Sequence, residues 1–163
     1  MNLMKICSFI DKIVYKSRRL VWLFFHPYLW GKNIQINGIP KIQVPYKLKL
    51  GKYVSINENV FLQAKGGISI GDNVTLSYGT TILTEGLSII EYSNNCKKKY
   101  RDHECKSVEI GNGTWIGANV IILPGAKIPN GCVIAAGAVV SGTLKKDNCL
   151  YAGVPSRLIK ELS

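Results

Sequence analysis

One aliphatic residue recurs at every sixth position over long stretches of this chain. Ile110, Ile116, Ile122, Ile128, Ile134 and Val140 stand six apart without a miss. Ile70, Leu76 and Ile82 keep the same interval, as do Leu50, Ile56 and Leu62 and, more faintly, Ile36, Ile42 and Leu48. A helix selects every third or fourth residue and a simple strand every second, so neither accounts for this pattern.

Two other positions of the hexad are also restricted. Four residues after each aliphatic stand Val54, Val60, Gly66, Val74, Thr80, Gly86, Thr114, Val120, Ala126, Cys132 and Ala138, all small or β-branched. Three residues after it, in the better-formed stretches, stand Asn73, Gly79, Gly113, Asn119, Gly125, Gly131 and Gly137. Gly and Asn accept positive φ at low cost, so the chain is expected to turn the same tight corner once per hexad. The fold that satisfies all three restrictions is a prism-shaped coil. Each hexad supplies a short strand and a corner, and three hexads close one triangular turn. Stacked turns pair their strands in parallel around a continuous apolar column, and five such turns fit between residues 34 and 145.

The frame breaks twice. After Leu62 it slips by two residues, leaving Ile68 and Ser69 spare before Ile70. The larger break separates Ile82 from Ile110 by 28 residues, and residues 88–107 read as a loop thrown out from the coil. Excursions from rigid repeats commonly carry function.

Residues 1–33 form a separate amino-terminal segment, and the coil occupies 34–163. Leu3, Ile6, Cys7, Ile10, Ile13 and Val14 follow helical spacing, with Lys5, Asp11, Lys12, Lys16, Arg18 and Arg19 on the other side. The apolar run Leu20–Trp30 is eleven residues, against about twenty for a bilayer span. No small-residue cleavage site follows it, as a signal peptide would require. The segment is therefore expected to lie on an anionic membrane surface or to pack on the protein's own body. His26, in the aromatic run beside Pro27, reads as structural.

Composition bounds the partners. Lys and Arg number 21 against 10 acidic residues, a net charge of +11, which invites a polyanion: nucleic acid, anionic lipid or a phosphorylated cofactor. No zinc-finger spacing, ribonucleoprotein motif or recognition-helix pattern accompanies the charge, so nucleic acid is not expected. Five cysteines at irregular spacing fit free thiols in a reducing cytoplasm. Cys96, His103 and Cys105 make at most a partial metal set, unlike the tight spacings of zinc sites, and no metal is expected.

The segments ISIGDNVTLSYGTTILTEG (Ile68–Gly86), VEIGNGTWIGANVIILPGAKIPNGCVIAAGAVVSG (Val108–Gly142) and YAGVPSRLIKEL (Tyr151–Leu162) resemble the hexapeptide-repeat acyltransferases. The nearest subgroup is the sugar O-acetyltransferases, which include galactoside and maltose enzymes and those that decorate capsule and lipopolysaccharide. The likeness covers roughly residues 34–163 and leaves out the first thirty. It implies a left-handed parallel β-helix with an amino-terminal amphipathic helix, one excursion loop and a short carboxy-terminal helix, assembled as a homotrimer. It further implies direct transfer from acetyl-CoA to a hydroxyl of a sugar or glycan, with a histidine as general base. Because the amino-terminal leader differs from that of the galactoside and maltose enzymes, a polymeric or lipid-linked acceptor at the inner face of the cell membrane is favoured over a free disaccharide.

Of two histidines, only His103 lies on the excursion, and imidazole suits a base at working pH. Asp102 and Glu104 flank it and are the candidates to orient the ring. In the galactoside enzymes the catalytic histidine directly follows a segment that aligns with Thr84–Glu85–Gly86, where this chain has Leu87. His103 lies sixteen residues later, so it is assigned by loop and not by column. By the same resemblance Asn57 matches an acceptor-binding Asn. Backbone near Ala118 and Ala136 would meet the pantetheine arm, Trp115 would project near the acyl group, and Lys145, Lys146 and Arg157 would meet the CoA phosphates. The run Lys97–Lys99 with Arg101 would serve cofactor or anionic glycan. Two alternatives stay open: N-acetylation of a nucleotide-linked amino sugar, for which a His–Glu pair such as His103–Glu104 is suited, and a glycan-binding scaffold without catalysis.

Overall fold

Each hexad makes a strand of two to three residues, and the strands stack into three parallel sheets that form the faces of a prism. The structure, a computed structural model, describes residues 3–88 and 102–162. On the first face lie β1 (Gln35–Ile36), β4 (Ser55–Ile56), β7 (Thr75–Leu76), β12 (Trp115–Ile116), β15 (Val133–Ile134) and β17 (Cys149–Ala152), in that order. The second holds β2 (Lys41–Gln43), β5 (Phe61–Gln63), β8 (Thr81–Leu83), β13 (Ile121–Ile122) and β16 (Val139–Val140). The third holds β3 (Leu48–Leu50), β6 (Ile68–Ile70), β11 (Val108–Ile110) and β14 (Lys127–Ile128).

The aliphatic positions stack in register. Ile36, Ile56, Leu76, Ile116, Ile134 and Tyr151 pair in turn down the first face, and Leu62, Ile82, Ile122 and Val140 down the second. These side chains are buried, and each contributes about 1.5–3 kcal/mol through its removal from water. The corner prediction also holds. Asn73, Gly79, Gly113, Asn119, Gly125, Gly131 and Gly137 all have positive φ, between 55° and 83°.

The slip has a structural meaning that the hexad count misses. Ile36 pairs with Ile56 and Ile56 with Leu76, twenty residues per coil, whereas Ile116 pairs with Ile134, eighteen. The two additional residues fall at the corner between the second and third faces. Ile68 and Ser69 are therefore not spare. They begin β6, where Ile68 is buried and pairs with Leu48 and Val108. At this wider corner Ala64 and Thr84 take the inward place expected for Gly66 and Gly86, which are only half-buried.

The excursion leaves from the same corner. It starts at Glu85, earlier than expected, as a two-stranded ribbon of β9 (Glu85–Leu87) and antiparallel β10 (His103–Cys105). Cys96, Lys97–Lys99 and Arg101 lie outside the described residues.

The expected carboxy-terminal helix is instead β18 (Arg157–Glu161), antiparallel to β17. Five residues are too few to hold a helix without tertiary support. The open edge of β17 offers them a ready set of backbone partners.

At the other end α1 (Leu3–Phe24) matches the expected helix. It does pack on the coil, but along one side only. The Tyr15 hydroxyl donates to the carbonyl of Asn37, an Arg19 guanidinium N–H donates to that of Ile36 at 3.1 Å, and Trp22 and Leu23 rest against the core. His26 is structural: its ring stacks on Trp22 at 3.9 Å and Nδ1 donates to the Trp22 carbonyl at 2.6 Å. Among the described residues no helix is long and apolar enough to cross a membrane.

Cys7 and Cys105 are exposed and unpaired in disulfides, whereas Cys132 and Cys149 are buried. Burial pushes the Cys132 thiol up from its ordinary value, which keeps it protonated and unreactive. Iodoacetamide at mildly alkaline pH should label Cys7 and Cys105 and spare Cys132 and Cys149 until denaturant is added. Peptide mass spectrometry that found Cys132 modified in the folded chain would contradict the burial.

Candidate active site

The ribbon at the excursion brings together residues that are distant in sequence. His103 pairs directly with Leu87, Glu104 with Gly86 and Cys105 with Glu85. The sixteen-residue offset between His103 and the aligned position therefore closes to one step across an antiparallel pair. Side chains opposite one another, or two apart, share a face of such a pair, so Glu85, Leu87, His103 and Cys105 lie on one side of the ribbon. Accordingly His103 Nδ1 stands 3.4 Å from Glu85 Oε1. This is long for a hydrogen bond, and such contacts commonly tighten when substrate binds.

Glu85 also pairs with Lys65, one coil below, and this partner raises the Lys65 ammonium above its ordinary value. The carboxylate is largely enclosed, with 15% of its side-chain surface exposed, against 51% for the imidazole. Glu85 thus stands beside one ring nitrogen, and half of the imidazole surface stays open to solvent.

The two carboxylates expected to orient the ring are placed differently. Glu104 projects to the opposite side of the ribbon, where Ser88 and Lys106 engage it. The Ser88 hydrogen bond, then Lys106 at 3.1 Å, hold its carboxyl below the usual range. Asp102 precedes the ribbon and its carbonyl accepts from the Ser88 N–H at 3.0 Å. Glu85 is the residue that sequence reasoning missed. Its signal was present: an acid stands three residues after Ile82, where the better-formed hexads carry Gly or Asn.

A second group lies on the corner between the first and second faces, one face of the prism away from His103. Asn57 sits there half-buried. Its Nδ2 donates to the Leu76 carbonyl at 3.0 Å and its Oδ1 accepts from Asn37 Nδ2 at 3.0 Å. Ala118 and Ala136 occupy the same corner two and three coils further on, joined by the bond from Gly137 N to Ala118 O at 2.8 Å. Gly117 is required here. A Cβ at that position would stand 2.6 Å from Ile134 O and 2.7 Å from Ala136 N, so the backbone of this coil approaches the next as only Gly allows. Trp115, 55% exposed, begins the segment on β12 and donates from Nε1 to Ser77 Oγ at 2.9 Å.

The candidate phosphate-binding cations are not brought together within one chain. Arg157 pairs with Ala152 and so lies near the Ala118–Ala136 corner. Lys145 and Lys146 precede β17 at its other end. Four residue steps along the strand separate Arg157 from Glu161, about 13 Å, and Lys146 is held by Glu161 at 2.6 Å. A separate groove of about 660 Å³ runs along the third face between Lys47, Lys49, Ser69 and Lys127. It was not anticipated; Lys47 and Lys49 line it, and its Lys127 is paired with Glu109 at 3.0 Å.

The pattern of the bacterial transferase hexapeptide family, six repeats, matches residues 107–142. WbbJ of Escherichia coli (strain K12), provisionally named a lipopolysaccharide biosynthesis O-acetyl transferase, is 31% identical over 113 residues. That match takes in 66% of this chain and 57% of WbbJ, so the chain spans little more than half the length of this curated relative. Among solved structures, a maltose O-acetyltransferase from Clostridium difficile 630 superposes with a TM-score of 0.72 at 30% identity, over 81% of this chain and 68% of that one. A galactoside acetyltransferase in complex with coenzyme A does so with a TM-score of 0.69 at 26% identity, over 80% and 64%.

Proposed function

Because the chain belongs to the hexapeptide-repeat acyltransferases, we propose that it transfers the acetyl group of acetyl-CoA to a sugar hydroxyl during surface-polysaccharide biosynthesis, with His103 as the base. The observation that carries this reading is the pairing of His103 with Leu87. It brings the histidine of the excursion opposite Leu87, across the pair from the position the resemblance assigns to the base, with a carboxylate 3.4 Å from its Nδ1.

The chemistry follows from that arrangement. Nε2 of His103 takes the proton of the acceptor hydroxyl as its oxygen attacks the thioester carbonyl carbon. The C–O bond forms, and the oxyanion is met by backbone N–H groups near Ala118 and Ala136. Collapse of the tetrahedral intermediate breaks the C–S bond, and the imidazolium returns the proton to the departing thiolate of CoA. Glu85 holds the ring and stabilises its cationic form. Asp102 and Glu104 stay outside this step and support the ribbon.

One chain supplies half of the machinery at each of two edges. His103 stands at the corner between the second and third faces, and Asn57, Ala118 and Ala136 at the corner between the first and second, with Trp115 and Arg157 on strands of the adjoining first face. A complete site therefore needs a second copy, and a closed ring of three satisfies every edge alike. The free thiols of Cys7, Cys105, Cys132 and Cys149 and the use of acetyl-CoA support a cytoplasmic reaction, and a lipid-linked acceptor would bring it to the inner face of the cell membrane.

Purified protein is to be assayed for CoA thiol release from acetyl-CoA against sugars, glycans and nucleotide-linked amino sugars. Release with a hydroxyl acceptor, giving a product cleaved by mild base, is the expected outcome. A base-stable amide product would assign N-acetylation instead, and no release with any acceptor would remove the enzymatic reading. Within this scheme Glu85→Gln should lower kcat about tenfold, as expected for a lost orienting contact. In the His103→Ala background the same change should have little further effect, since residues acting as one unit are not additive. Full additivity in this double-mutant cycle would separate Glu85 from the base.

A further inference from the structure

The packing of α1 is inverted relative to an ordinary surface helix. At about 100° per residue, Ile10, Ile13, Leu20, Val21 and Phe24 fall within about 55° of the direction opposite the coil-facing Tyr15, Arg19 and Trp22. All five are between 51% and 67% exposed. Phe9, Val14 and Phe25 widen the stripe and are exposed as well. The helix is therefore tied to the coil through Tyr15, Arg19, Trp22 and Leu23, and it turns a second apolar stripe, interrupted by Ser17, to the surroundings. Patches of this kind mark a binding surface.

The charge around the stripe indicates what covers it. Lys5, Lys12 and Lys16 lie in a row along one edge, all exposed, at seven- and four-residue intervals. A second copy of the chain is a poor match for that row. Its Glu85, Glu104, Glu109 and Glu161 are each paired with a cation of their own chain, while its exposed Glu58 lies beside Tyr15 and Arg18 of α1 and Asp11 lies on α1 itself. Its Asp72 and Asp147 accept backbone N–H groups. An anionic bilayer answers both halves of the surface at once. Apolar side chains sink to the acyl boundary, and the lysine stems reach back to phosphate.

We propose that α1 is an in-plane anchor that seats the protein on an anionic lipid surface through Ile10, Ile13, Leu20, Val21 and Phe24, with Lys5, Lys12 and Lys16 at the headgroups. The docking stands apart from the acetyl-transfer reading. Its consequence for the acceptor rests on that reading. Tyr15 and Arg19 hold the helix to the backbone of Asn37 and Ile36, and Asn37 is hydrogen-bonded to Asn57 at 3.0 Å. The acceptor-side corner thus lies one coil and the width of the helix, about 10 Å, from the lipid, in reach of a sugar carried on a lipid.

The test is co-sedimentation of the full chain with phosphatidylcholine vesicles, with and without phosphatidylglycerol, in the absence of acetyl-CoA. Wild type should partition onto the phosphatidylglycerol vesicles and release as salt is raised. Lys5→Gln with Lys12→Gln and Lys16→Gln should weaken that binding by roughly fivefold per lysine, on the order of a hundredfold in all. Ile13→Glu with Val21→Glu should abolish it while Cys132 stays protected from alkylation, which shows the coil still folded. Equal binding to both vesicle types, or binding that survives the glutamate pair, would overturn the proposal. So would a glutamate pair that changes the assembled mass by sedimentation equilibrium but leaves vesicle binding intact, which would make a second copy the occupant. Failure of acetyl transfer would leave the vesicle result as it stands.

Discussion

Replacing His103 with alanine should cut acceptor-dependent CoA release by about a hundredfold to ten-thousandfold, the usual contribution of a general base. The protein should stay folded, because the His103 side chain is exposed on the ribbon and contributes nothing to the apolar column. The loss should appear in kcat with KM for acetyl-CoA little changed, since the imidazole acts on the acceptor proton and not on the cofactor. His26→Ala is the matched control. That ring is stacked on Trp22 and bonded to its carbonyl, so its removal should loosen the helix junction and leave the chemical step intact. Comparable losses of kcat in both variants would mean that neither histidine is the base.

The second large effect concerns stability. Ile121 and Ile122 are adjacent, and both stand in β13, yet Ile121 is 38% exposed and Ile122 is fully buried. Ile122→Ala removes methyl groups from a packed column, with Ile82 below and Val140 above, and should cost about 2–5 kcal/mol. Ile121→Ala leaves no internal cavity and should cost about 1 kcal/mol or less. Urea unfolding at one fixed protein concentration compares the two, the concentration being held because assembly adds to apparent stability. Similar losses at both positions would contradict the inward–outward alternation on which the coil depends.

The coil was legible because each of its restrictions acts locally and repeats. One aliphatic per hexad, a small residue beside it and a positive-φ corner must recur wherever a coil stacks, so Ile116, Val120 and Asn119 can each be read without knowing the rest. The wide corner was only partly legible. The slip at Ile68 shows in the count, but its repetition in consecutive coils appears only when Ile36, Ile56 and Leu76 are set in register. The carboxy-terminal strand was misread, since Arg157–Glu161 carries no periodicity of its own and takes its conformation from the edge of β17. At the site the loop and its histidine were visible, because His103 is rare chemistry in an unusual place. Its carboxylate was sought among its sequence neighbours. In an antiparallel ribbon the neighbours of a residue in space are across the pair, and the register that brings Glu85 to His103 is set by the hairpin and not by adjacency.

The strand β18 has one more consequence. A stack of near-identical coils has no internal reason to stop, since each end presents the strand edge that the next coil would use. Another molecule arriving at the carboxy-terminal end would need to add parallel strands on three faces. On the first face it meets Arg157–Glu161 running the opposite way, with Arg157, Lys160 and Glu161 exposed along it. The reversed polarity and the charges together deny it a template, so the five residues of β18 oppose end-to-end growth into fibres at this edge.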